Sequence, residues 1–292
     1  MKIGLSSYSL LSALQSGEIT ILDAIQWTAD QGGEHIELVP MGFSLEEDPS
    51  LIDAIRQKAE EADIDISNYA ISADFIKNGE GFENEISRVK KQVDIAHQLG
   101  VKLMRHDVAW RSPNEATASQ FESDLPKLGD ACGQIADYAK QYGITTSIEN
   151  HGFYIQASRR VQRLIDEVDR SNFKTTLDVG NFMCVDEDSV AAVKRNISYA
   201  SMVHLKDFYL RAASRNPGEG WFQTAAGNHL RGAIVGHGDI DMRKVISAVK
   251  ASGYDGYISV EFEGLEDCRK GSRIGMNNAR RLWEEATLEE GK

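Results

Sequence analysis

The chain has 292 residues, 41% hydrophobic and 26% charged, with a formal net charge of −13. That is a globular composition with ample length for a sizeable core, and its acidic balance excludes the basic footprint that a nucleic-acid partner requires. Cys132, Cys184 and Cys268 are widely spaced, form no CxxC pattern and make a poor disulfide framework, so a reducing, cytoplasmic location is expected.

The first residues, MKIGLSSYSLLSALQSGE, are too polar for a secretory signal. No run of ~18 apolar residues predicts a membrane span. Taken in chain order, eight β-rich runs are predicted: Ile3–Ser7, His35–Leu38, Ile64–Tyr69, Lys102–Arg105, Ile144–Ile148, Lys174–Leu177, Ser201–Val203 and Tyr257–Val260. Amphipathic stretches separate them. Phe82–Leu99 places Ile86, Val89, Val93 and Ala96 on one helix face, and Phe121–Tyr142 does so with Leu125, Leu128, Ile135 and Tyr138.

The helix-to-strand junctions repeat. In ADQGGEHIEL, AHQLGVKLMR, AKQYGITTSI and KASGYDGYISV, a charged stretch ends near glycine, which takes a left-handed cap cheaply, and a buried strand follows. EADIDISNYA, RSNFKTTL and NISYASMV follow the same plan without the glycine. Strict alternation of eight units predicts a single α/β domain over residues 1–292, a (β/α)8 TIM barrel. An open doubly wound sheet is the alternative, but no GxGxxG follows the first strand. A long irregular loop is predicted over Asp207–Asp239, after strand seven, and a frayed tail over Leu288–Lys292.

Four successive apolar strands finish with a side chain that can hold a metal: ITTSI with Glu149, KTTL with Asp178, SMV with His204 and YISV with Glu261. A single Glu or Asp at a strand end is more often a helix cap or a surface charge, and a single His there more often a satisfied structural group. On four neighbouring strands of a parallel barrel they converge on the face where active sites are built. Three carboxylates and one imidazole would repel without a cation between them. The oxygen-rich set suits one divalent ion, Mn²⁺ or Mg²⁺ first, with Co²⁺, Fe²⁺ and Zn²⁺ compatible. Glu263, two residues beyond Glu261, points to the same strand face and competes for that place.

The ordered segments SIENHG, TLDVGNF, VHLKD and ISVEFEG resemble the xylose isomerase-like barrel superfamily, and the likeness runs from KIGLSSYSL to the VEFEG strand. That family includes sugar and sugar-phosphate isomerases and epimerases, inosose dehydratases and apurinic-site endonucleases. The resemblance implies that Glu149, Asp178, His204 and Glu261 bind one divalent metal. It also implies that Glu149 and Glu261 carry a proton at the carbon beside a carbonyl, giving a sugar isomerase or epimerase. The alternative is a carbon–oxygen lyase or dehydratase acting on a keto-sugar, inosose or 3-keto-glycoside at the same metal. Endonuclease chemistry would need further histidines, whereas Asn181 stands after strand six and ISNYAISADF has none.

Around the metal set, His151 is a candidate catalytic base. Glu37, His106, Asn181, Lys206, Arg231 and His237 are candidate substrate contacts, with Trp110 beside them. Trp221 and Phe222 are read as an apolar lid or a dimer contact, and homo-oligomer formation is an expectation by analogy with other barrels. The loops that usually bind phosphate in such barrels lack a GG or GS cluster, although His229 and Arg231 could bind phosphate. The expected partner is a small carbohydrate.

Overall fold

The computed structural model describes residues 1–76 and 81–286. The frayed tail expected over Leu288–Lys292 lies outside the described residues. Eight parallel strands close a barrel: β1 (Lys2–Ser6), β2 (His35–Leu38), β3 (Asp65–Ile71), β4 (Leu103–His106), β5 (Thr145–Glu149), β6 (Phe173–Asp178), β7 (Ala200–Leu205) and, last in the chain, β11 (Tyr257–Val260). The closed ring confirms the (β/α)8 reading over the open sheet. Strand ends differ from expectation by one or two residues.

Helices α1 (Leu11–Gln15) and α2 (Ile21–Asp30) follow β1, α3 (Ser50–Glu61) follows β2, and α4 (Gly81–Leu99) follows β3. The outer ring continues with α5 (Ala118–Lys140), α6 (Ser158–Val168), α7 (Ser189–Asn196), α8 (Met242–Ala251) and α9 (Cys268–Glu285). Gly100 and Gly143, which end α4 and the α5 stretch, have φ of 80° and 65°. At two of the three junctions without the glycine, aspartate takes the left-handed position: Asp63 before β3 at φ 54° and Asp169 before β6 at φ 45°. The same junction is thus made with two chemistries.

The segment Asp207–Asp239 is not an irregular loop. Strands β8 (Asp207–Arg211), β9 (Phe222–Gln223) and β10 (His229–Ala233) form an antiparallel sheet in the order β8–β10–β9. Its base is clamped by the Asp207 carboxylate, which accepts the N–H groups of Phe208, Gly236 and Gly238, each at 2.9 Å. A bridge between Gly232 and Gly264 ties the sheet to the segment after β11; a Cβ on Gly232 would fall 2.2 Å from the Glu263 carbonyl oxygen. Among the described residues no helix is long and apolar enough to cross a membrane.

Register sets which side chains enter the barrel. Asp178 pairs with His204, Glu149 with Thr176, and Glu37 with Asn68. Low in the barrel wall, His35 is buried between the Ser67 hydroxyl at 2.8 Å and the Ile258 carbonyl at 3.1 Å. Burial lowers its pKa to about 4. A depressed histidine contributes stability that is complete above pH ~6.5 and is lost as pH falls toward 4. Replacing His35 with Gln should therefore narrow the stability gap to wild type by up to ~1.4 kcal/mol per pH unit across that window. Urea unfolding at several pH values checks this, and a constant gap would refute it.

Candidate active site

The four strand-end residues meet. One donor atom from each of Glu149, Asp178, His204 and Glu261 lies within 4.8 Å of the others, and all four residues are buried. Asp178 shows why the group suits a cation. Its Oδ1 accepts the Gly180 and Asn181 N–H groups at 2.7 Å each, while its buried Oδ2 has no hydrogen-bond partner. His204 Nδ1 is likewise unpartnered, 3.7 Å from Glu261, 3.9 Å from Glu149 and 4.0 Å from Asp178. Among the described residues, the permanent cations in ion-pair contact with Glu149, Asp178, Glu261 and Glu263 are Arg105 and Lys206. The residues fit a divalent ion: orphaned donors converge, and the negative surplus calls for positive charge.

Burial alone would raise the Glu149 carboxyl; Arg105, then His204 and Lys206, hold it well below the usual carboxylate range. Arg105 Nε donates to Glu149 Oε2 at 2.8 Å, a second guanidinium nitrogen bonds the same oxygen, and Asn181 Nδ2 donates to Oε1 at 2.8 Å. Burial pushes Glu261 up to about 7, against the pull of Lys206 and His204. Burial also raises Asp178. His204 goes the other way from its own burial: Glu37 and Glu261 raise it to about 10. Binding a cation at Nδ1 would displace that proton.

Lys206 is buried with its ammonium 2.7 Å from Glu261, 3.1 Å from Glu263 and 3.5 Å from Asp178. Burial disfavours its charge, but Asp178, Glu261 and Glu263 outweigh that and hold it protonated. Glu263 thus stands outside the four-residue group and serves Lys206. A cavity of about 490 Å³ opens over the group, lined among others by Tyr8, Arg105, His151, Lys206, Glu261 and Glu263.

Not every residue singled out in the sequence reaches this cavity. His151 does, half exposed, with Nδ1 3.6 Å from Asp107. Asn181 lies beneath it, between Glu149 and Lys206. Glu37 sits behind the site: its Oε2 is 2.8 Å from His204 Nε2 and Asn68 donates to its other oxygen at 2.7 Å. That ion-pair contact is made at Nε2 and leaves Nδ1 toward Glu149, Asp178 and Glu261.

His106 points away from the mouth, between Phe75 and Phe173 at 5.8 and 6.4 Å, and its burial lowers its pKa to about 4. Arg231 stacks on Tyr209 and Trp221 in the β8–β10 sheet, and His237 is exposed between the two glycines that wrap Asp207. None of these three is among the residues lining the cavity, nor are Trp221 and Phe222.

Arg105 and Asp107 were not anticipated. Register supplies the signal: Arg105 pairs with Ser147, on the face shared with Glu149, whereas His106 pairs with Ile148 on the helix-facing side. Arg105 also reaches Asp107 at 3.4 Å, which links Glu149, Arg105, Asp107 and His151 into one chain of contacts.

A closed parallel barrel whose C-terminal mouth gathers three carboxylates and an imidazole defines an enzyme scaffold of the (β/α)8 class. The chain belongs to the xylose isomerase-like TIM barrel family, whose model matches residues 25–286. An inosose dehydratase from Geobacillus thermodenitrificans is 28% identical over 195 residues, a match spanning 62% of this chain and 64% of that protein. The match thus covers a little under two thirds of the relative's length. In structure, D-psicose 3-epimerase from Clostridium cellulolyticum H10 superposes with a TM-score of 0.72 at 15% identity, covering 97% of this chain and 99% of that one. A xylose isomerase-like barrel from Mycobacterium smegmatis, solved in complex with magnesium, gives 0.67 at 16% identity, covering 90% and 89%.

Proposed function

We propose that the protein is a divalent-metal-dependent isomerase or epimerase that moves a proton at the carbon beside the carbonyl of a small carbohydrate. The observation that carries this reading is the placement of Glu149 and Glu261. They stand at the ends of β5 and β11, with β6 and β7 between them in the ring, and flank one cavity. Glu149, Asp178, His204 and Glu261 would hold the ion, whose chemistry when bound is to polarise the carbonyl and offset the charge developing on its oxygen.

The chain's own residues do the rest. Arg105 and Asn181 hold Glu149 ionised and fixed, and the Lys206 ammonium holds Glu261 from 2.7 Å. One carboxylate takes the α-proton, and the C–H electron pair becomes the double bond of an enediolate. The acid on the other side returns a proton to the opposite face, giving an epimer; return to the neighbouring carbon gives an isomer. Lys206, buried and charged, donates to a substrate oxygen and stabilises negative charge there.

A second reading, loss of water or an alkoxide from the same enediolate, is favoured by His151. Leaving-group departure needs an acid besides the α-carbon base, and the half-exposed His151, held by Asp107, stands at the cavity wall. Under that reading His151→Gln lowers elimination by about 10²–10⁴ and leaves α-proton exchange in place. Equal losses in both would refute that role.

Product analysis separates the fates. The Mn²⁺-loaded protein is incubated with a panel of ketoses, inososes and 3-keto-glycosides, and products are read by NMR. Epimer or isomer formation supports the proposal, and water or aglycone loss supports the second reading. No reaction across the panel contradicts both.

A further inference from the structure

We propose that a cavity outside the barrel mouth binds an organic cation, a primary ammonium on an aliphatic body. The cavity measures about 350 Å³, within the ~300–1,000 Å³ range of small-molecule sites. Its walls come from the segment that enters α7, from the small sheet and from the turn before α8. None of its lining residues lines the barrel cavity, so the proposal stands apart from the proton chemistry of the mouth.

Five carboxylates line it, Asp186, Glu187, Asp188, Asp239 and Asp241, and no Lys, Arg or His does. Glu187, Asp239 and Asp241 have cationic partners in Arg195, Arg211 and Lys244. Among the described residues, Asp186 and Asp188 meet only neutral donors. Asp186 accepts from Thr224, Asn228 and the Ala226 N–H at 2.7–2.8 Å, and Asp188 accepts from the Ala191 N–H at 2.8 Å. Beside them Ser189 is 5% exposed, and its hydroxyl is a buried polar group without a protein partner.

The set does not suit a metal. Among the described residues, the donors close enough to share an ion are those of Glu149, Asp178, His204 and Glu261, and no group in this cavity joins them. A larger cation that binds through its hydrogens fits acceptors spread more widely. A primary ammonium has three N–H donors, and two carboxylates and a hydroxyl await them. Met183, Val190, Leu210 and Ile240 give the wall its apolar part. Leu210 is 39% exposed, so an aliphatic chain on the cation would cover surface otherwise open to solvent. The short 3₁₀ turn Asn181–Val185 sets Asn181 on Glu149 and Met183 in this wall.

The test reads binding without turnover. n-Hexylammonium, methylammonium, 1-hexanol and hexanoate are titrated into Mg²⁺-loaded protein at ~0.05 M ionic strength and followed by ligand-observed NMR. Hexylammonium is expected to bind about tenfold more tightly than methylammonium, through its chain, and about tenfold more tightly than hexanol, through its charge. Asp188→Asn keeps the cap on α7, because asparagine caps as well as aspartate, and should weaken hexylammonium about three- to fivefold. Adding Ser189→Ala should weaken it about two- to threefold more. Leu210→Thr should shrink the hexyl-over-methyl preference. Thermal unfolding checks that each variant is folded. In the wild type, raising the ionic strength to ~0.5 M should weaken hexylammonium severalfold, which reads the same charge without any substitution. Hexylammonium binding no tighter than hexanol or hexanoate overturns the proposal, as does affinity unchanged by salt or by the Asp188→Asn, Ser189→Ala pair. Displacement by an equal concentration of Ca²⁺ at matched ionic strength also overturns it and marks a metal site instead.

Discussion

Glu149→Gln and Glu261→Gln are each expected to lower kcat by about 10²–10⁴ at saturating Mn²⁺, the usual worth of a positioned proton carrier. The amide keeps the shape of the side chain but cannot take a proton. At Glu149 the change also removes the charge that Arg105 neutralises through Oε2 and leaves Asp107, at 3.4 Å, as the near acidic partner of the guanidinium. At Glu261 it removes the closest partner of the Lys206 ammonium. Thermal unfolding of both variants separates lost chemistry from lost fold. A near-native rate in either, with products measured directly, would sink the two-carboxylate mechanism.

Metal affinity should fall in a graded way. Asp178→Asn replaces the unpartnered Oδ2 with a group that is a poor ligand for a hard cation, and at least a ~100-fold loss of Mn²⁺ affinity is expected. Glu37→Gln acts one step removed. Its carboxylate contacts His204 Nε2 and orients Nδ1, so a loss of about 10–100-fold is expected, as for partners that orient a ligating histidine. Equilibrium dialysis reads both. Unchanged Mn²⁺ affinity in Glu37→Gln, with a raised KM, would return Glu37 to the substrate-contact role expected from its strand position.

The barrel and the meeting of four candidate ligands were legible because parallel strands buried on both faces read as apolar runs, and a charged residue ending such a run stands out. Glu261, which directly ends its run, joins that group, and Glu263 lies against Lys206. Facing was harder to read. His106 was chosen for its chemistry, but alternation along β4 turns it toward the helices and sends Arg105 inward, and one strand's register is not visible without its neighbour.

Glu37 was recognised as a site residue but given a place at the substrate, because depth within a barrel is not written in the strand sequence. The β8–β10 sheet was hidden by its short strands and by the Asn–Pro–Gly stretch between β8 and β9, which reads as loop. That sheet carries Arg231, and His237 lies just beyond it, so two expected substrate contacts left the site with it.

The most direct measurement of the central claim is solvent exchange at the α-carbon. Metal-stripped protein, the same protein reloaded with Mn²⁺, and reloaded Asp178→Asn are each placed in D₂O with the keto-sugar panel. Deuterium should enter at the carbon beside the carbonyl only with the reloaded wild type, and at a much lower rate with the variant. Exchange that persists after metal removal, or none on any substrate with metal present, would contradict the account.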